Sequence, residues 1–115
     1  MLRQMCKSKI HRATVTEANL NYSGSITIDT KLLKAADILP GERVQIVNLN
    51  NGSRVETYVM EGKPGSGTIC MNGAAARWAE VGDKVILISY CWLDEERART
   101  FKARVVHVNA RNEIE

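Results

Sequence analysis

The chain has 115 residues, 44% hydrophobic and 25% charged, with a formal net charge of +3; this predicts one soluble domain with a real core, too small for a separate cofactor-binding lobe. No Lys/Arg run is long enough to argue for a nucleic acid, the N-terminus MLRQMCKSKIHR is charged where a secretory signal is apolar, and no apolar run could cross a membrane, so a cytoplasmic location is the default. Cys6, Cys70 and Cys91 are widely spaced without a C-x-x-C pair, and His11 and His107 lie far apart; no metal site is expected, and the cysteines read as buried reduced thiols.

In chain order, KIHRATVT (9–16) reads as a strand with Lys9 and His11 on one face. NLNYSGSITID (19–29) carries a Gly24–Ser25 step, a dipeptide that recurs at Gly52–Ser53 and Gly65–Ser66 and so says little alone. DTKLLKAADIL (29–39) is a short helix, capped by Asp29 and stopped at Pro40–Gly41. RVQIVNL (43–49) and RVETYVM (54–60) are strands, with NNG (50–52) between them as a hairpin signal. After the turn GKPGSG (62–67) come the strand TICMN (68–72) and a helical stretch GAAARWA (73–79) of about two turns. The turn VGD (81–83) leads to the strands KVILISY (84–90) and ARVVHV (103–108).

Two segments echo each other at a spacing of 41 residues: PGERVQIVN (40–48) and VGDKVILIS (81–89). Each follows an Ala-containing helical stretch, which suggests two similar halves around one core. The fold class predicted is mainly β, a small mixed barrel with pseudo-twofold symmetry, since closure removes exposed strand edges.

Three polar groupings stand out. Lys9 with His11, and Arg54 with Glu56 and Tyr58, each share a strand face. Either face could simply be solvated, or cations and a phenol could converge on a cleft for a carboxylate, which the planar fork of Arg suits. In NGAAAR (72–77), Gly73 opens a short helix: its free N–H groups could meet an anion, or its small residues could serve close packing. No nucleotide-binding, zinc-protease or serine-hydrolase motif is present.

Taken together, KIHRATVTEANLNYSGSITID, RVETY and GSGTICMNGAAAR resemble the bacterial aspartate 1-decarboxylases, pyruvoyl-dependent enzymes that make β-alanine for pantothenate synthesis. The resemblance runs from Met1 to about residue 108, with the segments in family order. It implies a double-ψ β-barrel over residues 1–115, typically a homotetramer. It also gives the Gly24–Ser25 step a meaning, as the bond that cuts itself into chains 1–24 and 25–115. Ser25 would attack the Gly24 carbonyl through an oxyoxazolidine ring to an ester; β-elimination and hydrolysis would then leave a covalent pyruvoyl group at residue 25.

The residue types suit that chemistry. Gly24 tolerates a strained backbone, and a serine yields pyruvoyl rather than a homologue. Thr57 matches the family position whose hydroxyl contacts the Gly24 carbonyl and stabilises the oxyanion. By the same resemblance, L-aspartate forms a Schiff base with the pyruvoyl carbonyl, which replaces pyridoxal phosphate as electron sink. Tyr58 returns the proton to Cα, Lys9 and Arg54 hold carboxylates, and Asn72, Gly73, Ala74 and Ala75 line the substrate site with Thr57. Tyr22 and His11 support it. Thr57 and Tyr58 are sequence neighbours and point to opposite faces of a regular strand; the expectation is therefore a site at a subunit boundary. A maturation protein is a further partner the family allows. Departures from the family pattern are Arg77, Pro64 and an early end at Glu115. The rival reading is a non-enzymatic DNA-binding barrel of the swapped-hairpin kind, and a second is a relative that cannot process itself and only binds a partner.

Overall fold

The computed structural model describes all 115 residues. The elements are β1 (Leu2–Thr14), β2 (Glu17–Asn19), β3 (Ser25–Asp29), α1 (Thr30–Ala36), β4 (Arg43–Asn48), β5 (Arg54–Gly62), β6 (Ile69–Asn72), a 3-10 helix (Gly73–Trp78), β7 (Lys84–Asp94), α2 (Glu95–Thr100) and β8 (Arg104–His107). The six strands expected from sequence are all present. β1 and β7 run longer than expected because they pair from Leu2↔Asp94 to Thr14↔Lys84. β3 had no sequence signal of its own, yet it is a central strand between β5 and β6. α2 carries almost no apolar periodicity; its start is fixed by Asp94, whose side chain accepts from the Arg97 N–H.

The strands form one mixed sheet in the order β2-β6-β3-β5-β4-β7-β1-β8. The sheet is rolled: α1 packs against β3 and β5 and also against β1 and β8, which lie far apart in that order. Where β1 gives way to β2 the chain crosses to the other end of the sheet, and the Thr16 N–H donates to the Ile69 carbonyl at 2.8 Å. The buried Asn112 side chain ties the same corner, accepting from the Thr14 N–H at 2.7 Å and donating to the carbonyls of Thr14 and Gly67 at 2.8 Å each. Inside lies a core of 19 residues, among them Ile10, Ile26, Ile28, Leu32, Ile46 and Leu87. The fold is thus a small, mainly β barrel, as the sequence predicts.

The internal echo is a real symmetry. Gly41 and Gly82 both hold positive φ, +86° and +97°. The Gly41 N–H donates to the Val59 carbonyl and the Val59 N–H to Glu42; the Gly82 N–H donates to Val15 and the Val15 N–H to Asp83. β4 and β7 pair antiparallel with Ile46 opposite Leu87, its own equivalent at the 41-residue spacing. The pseudo-twofold axis therefore passes through this pair.

Asp29 caps α1 as predicted and does more. Its buried carboxylate accepts from the N–H groups of Lys31, Gly65 and Gly67, each at 2.9 Å, and so fixes the 62–67 loop to the helix. One expectation is corrected: Cys70 is buried, but Cys6 and Cys91 are only half-buried, because they sit where the β1–β7 ladder runs out past the core. No helix is long and apolar enough to cross a membrane.

Candidate active site

Ser25 opens β3. It is 1% exposed and has φ +121°, outside the left-handed basin that the other positive-φ non-glycine residues occupy. A serine held there is strained, and the strain falls on the Gly24–Ser25 step. Across the ladder Ser25 pairs with Asn72 of β6. The Asn72 Nδ2 donates to Thr27 Oγ1 at 2.9 Å and to Ser25 Oγ at 3.4 Å, while its Oδ1 accepts from the Cys70 thiol at 3.1 Å. Burial, and secondarily the Glu17 charge, push the Cys70 thiol above its ordinary pKa, so it stays a protonated donor. The amide end facing Ser25 is thereby a donor, which makes the Ser25 oxygen an acceptor and leaves its own O–H free.

Gly73 follows Asn72 and continues the same flank of the bond, opposite Gly24 in the antiparallel register. Its φ is +60°, and a Cβ there would lie 2.9 Å from the Gly24 Cα and 3.2 Å from the Tyr22 carbonyl oxygen. No larger residue fits without moving the Gly24–Ser25 step. From Gly73 the 3-10 helix runs on, and its Ala74 and Ala75 form a wall of a groove of about 220 Å³ together with Gly24, Ser25 and β5.

Both Thr57 and Tyr58 line this groove, although they are neighbours on a strand. The pairing register explains how. β3 starts at Ser25, and its ladder with β5 begins only at Ile26↔Val59, so residues 54–58 of β5 have no strand on that side. The groove opens at this free edge, where both faces of β5 are reached. A single chain therefore brings the two side chains together, and the subunit boundary expected on that ground is not required for it.

Three of the expected residues lie elsewhere in the chain. Arg54 shares Tyr58's face four residues along the strand, roughly 13 Å between backbones, and its guanidinium reaches back toward Glu56's level, donating to Gln45 Oε1 at 2.8 Å. Lys9 pairs with Ile88, Ile88 with Gln45 and Gln45 with Glu56, so Lys9 lies three strands from β5, about 14 Å across the sheet. His11 stacks edge-on against His107 at 5.4 Å, in a separate hollow with Arg12 and Lys84. Its pKa is lowered by partial burial and then by the charges of His107, Arg12 and Lys9. Tyr22 contributes its backbone, as above, while its exposed side chain is not among the groove's walls. A wider hollow of about 610 Å³ lies around Gln45, Tyr90 and Trp92. It contains neither Ser25 nor Tyr58.

Sequence reasoning missed Cys70, Thr27 and Trp78. Thr27 and Cys70 each stand two residues from a recognised partner, Ser25 or Asn72, and strand alternation places such pairs on one face. Trp78, the remaining wall of the groove, stands three residues past Ala75, which in a 3-10 helix is the same face.

The family model described as aspartate decarboxylase matches residues 1–115. The aspartate 1-decarboxylase of Pelotomaculum thermopropionicum is 63% identical over 99% of this chain and 86% of its own length. That of Thermoanaerobacter pseudethanolicus is 60% identical over 97% and 96%, and that of Listeria monocytogenes serovar 1/2a is 59% identical over 100% and 91%. A solved structure, the computationally designed msDPBB_sym2 protein, aligns at 18% identity and TM-score 0.45 over 74% of this chain and 96% of that one, a likeness too distant to bear on function. This chain belongs to the aspartate decarboxylase family. Membership sets aside the DNA-binding barrel.

Proposed function

We propose that the chain decarboxylates L-aspartate to β-alanine at this groove, using a pyruvoyl group made from Ser25 by cleavage of its own Gly24–Ser25 bond. The observation that carries the reading is the state of that bond: a strained, buried Ser25 whose oxygen accepts from Asn72, held on one flank by Asn72 and Gly73 at the head of a groove. Attack of Ser25 Oγ on the Gly24 carbonyl carbon breaks the C–N bond and relieves the backbone there. The hydroxyl proton passes to the freed nitrogen, giving an ester and an amine. Loss of the residue-25 α-proton then expels Gly24 as a carboxylate. Water replaces the nitrogen, which leaves as ammonia, and the chain is in two parts, 1–24 and 25–115. Thr57 lines the groove where its hydroxyl would face the developing oxyanion.

The residues present fit the pyruvoyl group, since Ser25 is its source and the small Ala74 and Ala75 leave it open to the groove. That group supplies what no encoded side chain can, an electrophilic carbonyl conjugated to an amide that takes up the electron pair left by CO2. Tyr58, with its phenol in the groove, delivers the proton to carbon. Lys9 and Arg54 are assigned to the substrate carboxylates. Because Lys9 lies three strands from β5 within one chain, its part in that role calls for a second copy, in keeping with a homotetramer with its sites at subunit boundaries. The product would feed pantothenate and coenzyme A synthesis in the cytoplasm; a maturation protein would act on the cleavage step.

The test is intact mass. Wild type on standing or warming should give fragments 1–24 and 25–115, the larger blocked to N-terminal sequencing, and should form β-alanine. Ser25→Ala should remain one chain without activity; a Ser25→Ala protein that still splits at this bond refutes the reading.

A further inference from the structure

We infer that Trp78 sets the length of the substrate side chain, as an end wall of the groove held in place by a clamp on its own carbonyl. This rests on the reading above, in which the groove takes an amino dicarboxylate at Ser25. The two walls start together. Tyr58 is level with Ser25, one residue before the Ile26↔Val59 pair, and Gly73 lies against Gly24. Both then run away from the reacting bond. On β5 three residues carry the wall from Tyr58 to Val55, about 10 Å. On the 3-10 helix five residues carry it from Gly73 to Trp78, again about 10 Å. Val55 and Trp78 both line the groove, so a half-buried valine and a tryptophan bound it about 10 Å from the reacting bond.

An exposed tryptophan on a six-residue 3-10 helix would not by itself make a firm wall, for the residue is 53% exposed. Its backbone is firm. The Trp78 carbonyl accepts from three side chains: Asn51 Nδ2 at 2.9 Å, Asn48 Nδ2 at 3.2 Å and Ser53 Oγ at 3.3 Å. Asn48 is 2% exposed and fully used, since it also donates to Asp83 Oδ2 and accepts from the N–H groups of Asn50 and Asn51. One buried amide thus joins the β4–β5 turn, the end of the 3-10 helix and the Gly82 turn. Helical fraying at Trp78 is suppressed, and the position of the wall follows from the barrel.

A wall of this kind discriminates by a methylene, an effect on the scale of 10- to 200-fold. The experiment compares wild type, Trp78→Phe, Trp78→Ala and the double variant Asn51→Ala/Ser53→Ala, which loosens the clamp without disturbing buried Asn48. Each is first checked by intact mass for complete cleavage, then assayed for CO2 release from L-aspartate and L-glutamate. The expected result is a glutamate-to-aspartate ratio of kcat/KM that rises by about 10-fold or more in Trp78→Ala and less in Trp78→Phe. In the clamp variant the ratio should move in the same direction, carried by KM. A cleaved, aspartate-active wild type whose ratio is unchanged in Trp78→Ala overturns this inference and leaves the function standing. A wild type that neither splits nor decarboxylates aspartate overturns both.

Discussion

The thiol of Cys70 should govern how fast the chain cuts itself. It reaches Ser25 only through Asn72: the S–H donates to Asn72 Oδ1 at 3.1 Å, and the far end of that amide meets Ser25 Oγ. Cys70→Ala removes the one donor that tells the amide which way to face. A flipped amide would present its oxygen to Ser25, draw the serine O–H into a hydrogen bond and hold the nucleophile in an unreactive orientation. One neutral hydrogen bond is worth about 1 kcal/mol net, so the ratio of the two amide orientations should shift by about 5-fold and the productive fraction, and with it the rate, should drop by about 2-fold at 25 °C. Cys70→Ser keeps a donor at the same place and should process at the wild-type rate. The assay is the loss of the full-length mass over time in freshly purified protein, beside a thermal melt to show that the variants are folded. Because burial raises the Cys70 pKa above its ordinary value, the donor survives into mildly alkaline solution, and the wild-type rate should not fall between about pH 7 and pH 8.5 through this group. If Cys70→Ala cleaves as fast as wild type, or Cys70→Ser as slowly as Cys70→Ala, the relay through Asn72 is wrong.

Two further substitutions separate chemistry from scaffold. Tyr58→Phe removes a phenol at the free edge of β5 and little volume, so cleavage should go to completion while β-alanine formation falls by about 100-fold, the usual cost of losing a general acid; full turnover by the cleaved variant would remove Tyr58 from that role. Asp29→Ala leaves three N–H groups without their acceptor and uncaps α1, which should lower stability by about 3 kcal/mol in urea unfolding, whereas a loss below about 0.5 kcal/mol would mean the loop finds other partners.

The sequence made the strands with strong alternation legible, and the turn chemistry between them, because both are local. The echo at 41 residues also surfaced, and the barrel turned it into a symmetry axis through Ile46 and Leu87. β3 stayed hidden for a physical reason. In SITID only Thr27 is less than buried, so no polar face marks it as a strand, and its N-terminal residue has a backbone conformation no strand pattern anticipates. Of the residues singled out, Thr57, Tyr58, Ala74 and Ala75 share a groove with Gly24 and Ser25, while Lys9 lies three strands from β5. Strand alternation tells which face a side chain shares and nothing of how many strands or residues lie between.

The same gap in pairing explains the neighbours that seemed incompatible. Thr57 and Tyr58 would indeed be split between two faces if β5 were covered on both sides along its length. It is not, because β3 begins at Ser25 and leaves β5 bare ahead of Val59. On the proposed reading the Gly24–Ser25 bond is attacked from within its own chain, and such a bond cannot sit inside a ladder, where both its amides would be fixed by neighbours. Placing it at the first residue of a central strand leaves one side locked by Asn72 and the other open. The bare edge beside it then provides the room in which Thr57, Tyr58 and, later, a substrate can approach. The strain at Ser25 and the unpaired run of β5 are thus two consequences of one choice, where β3 starts.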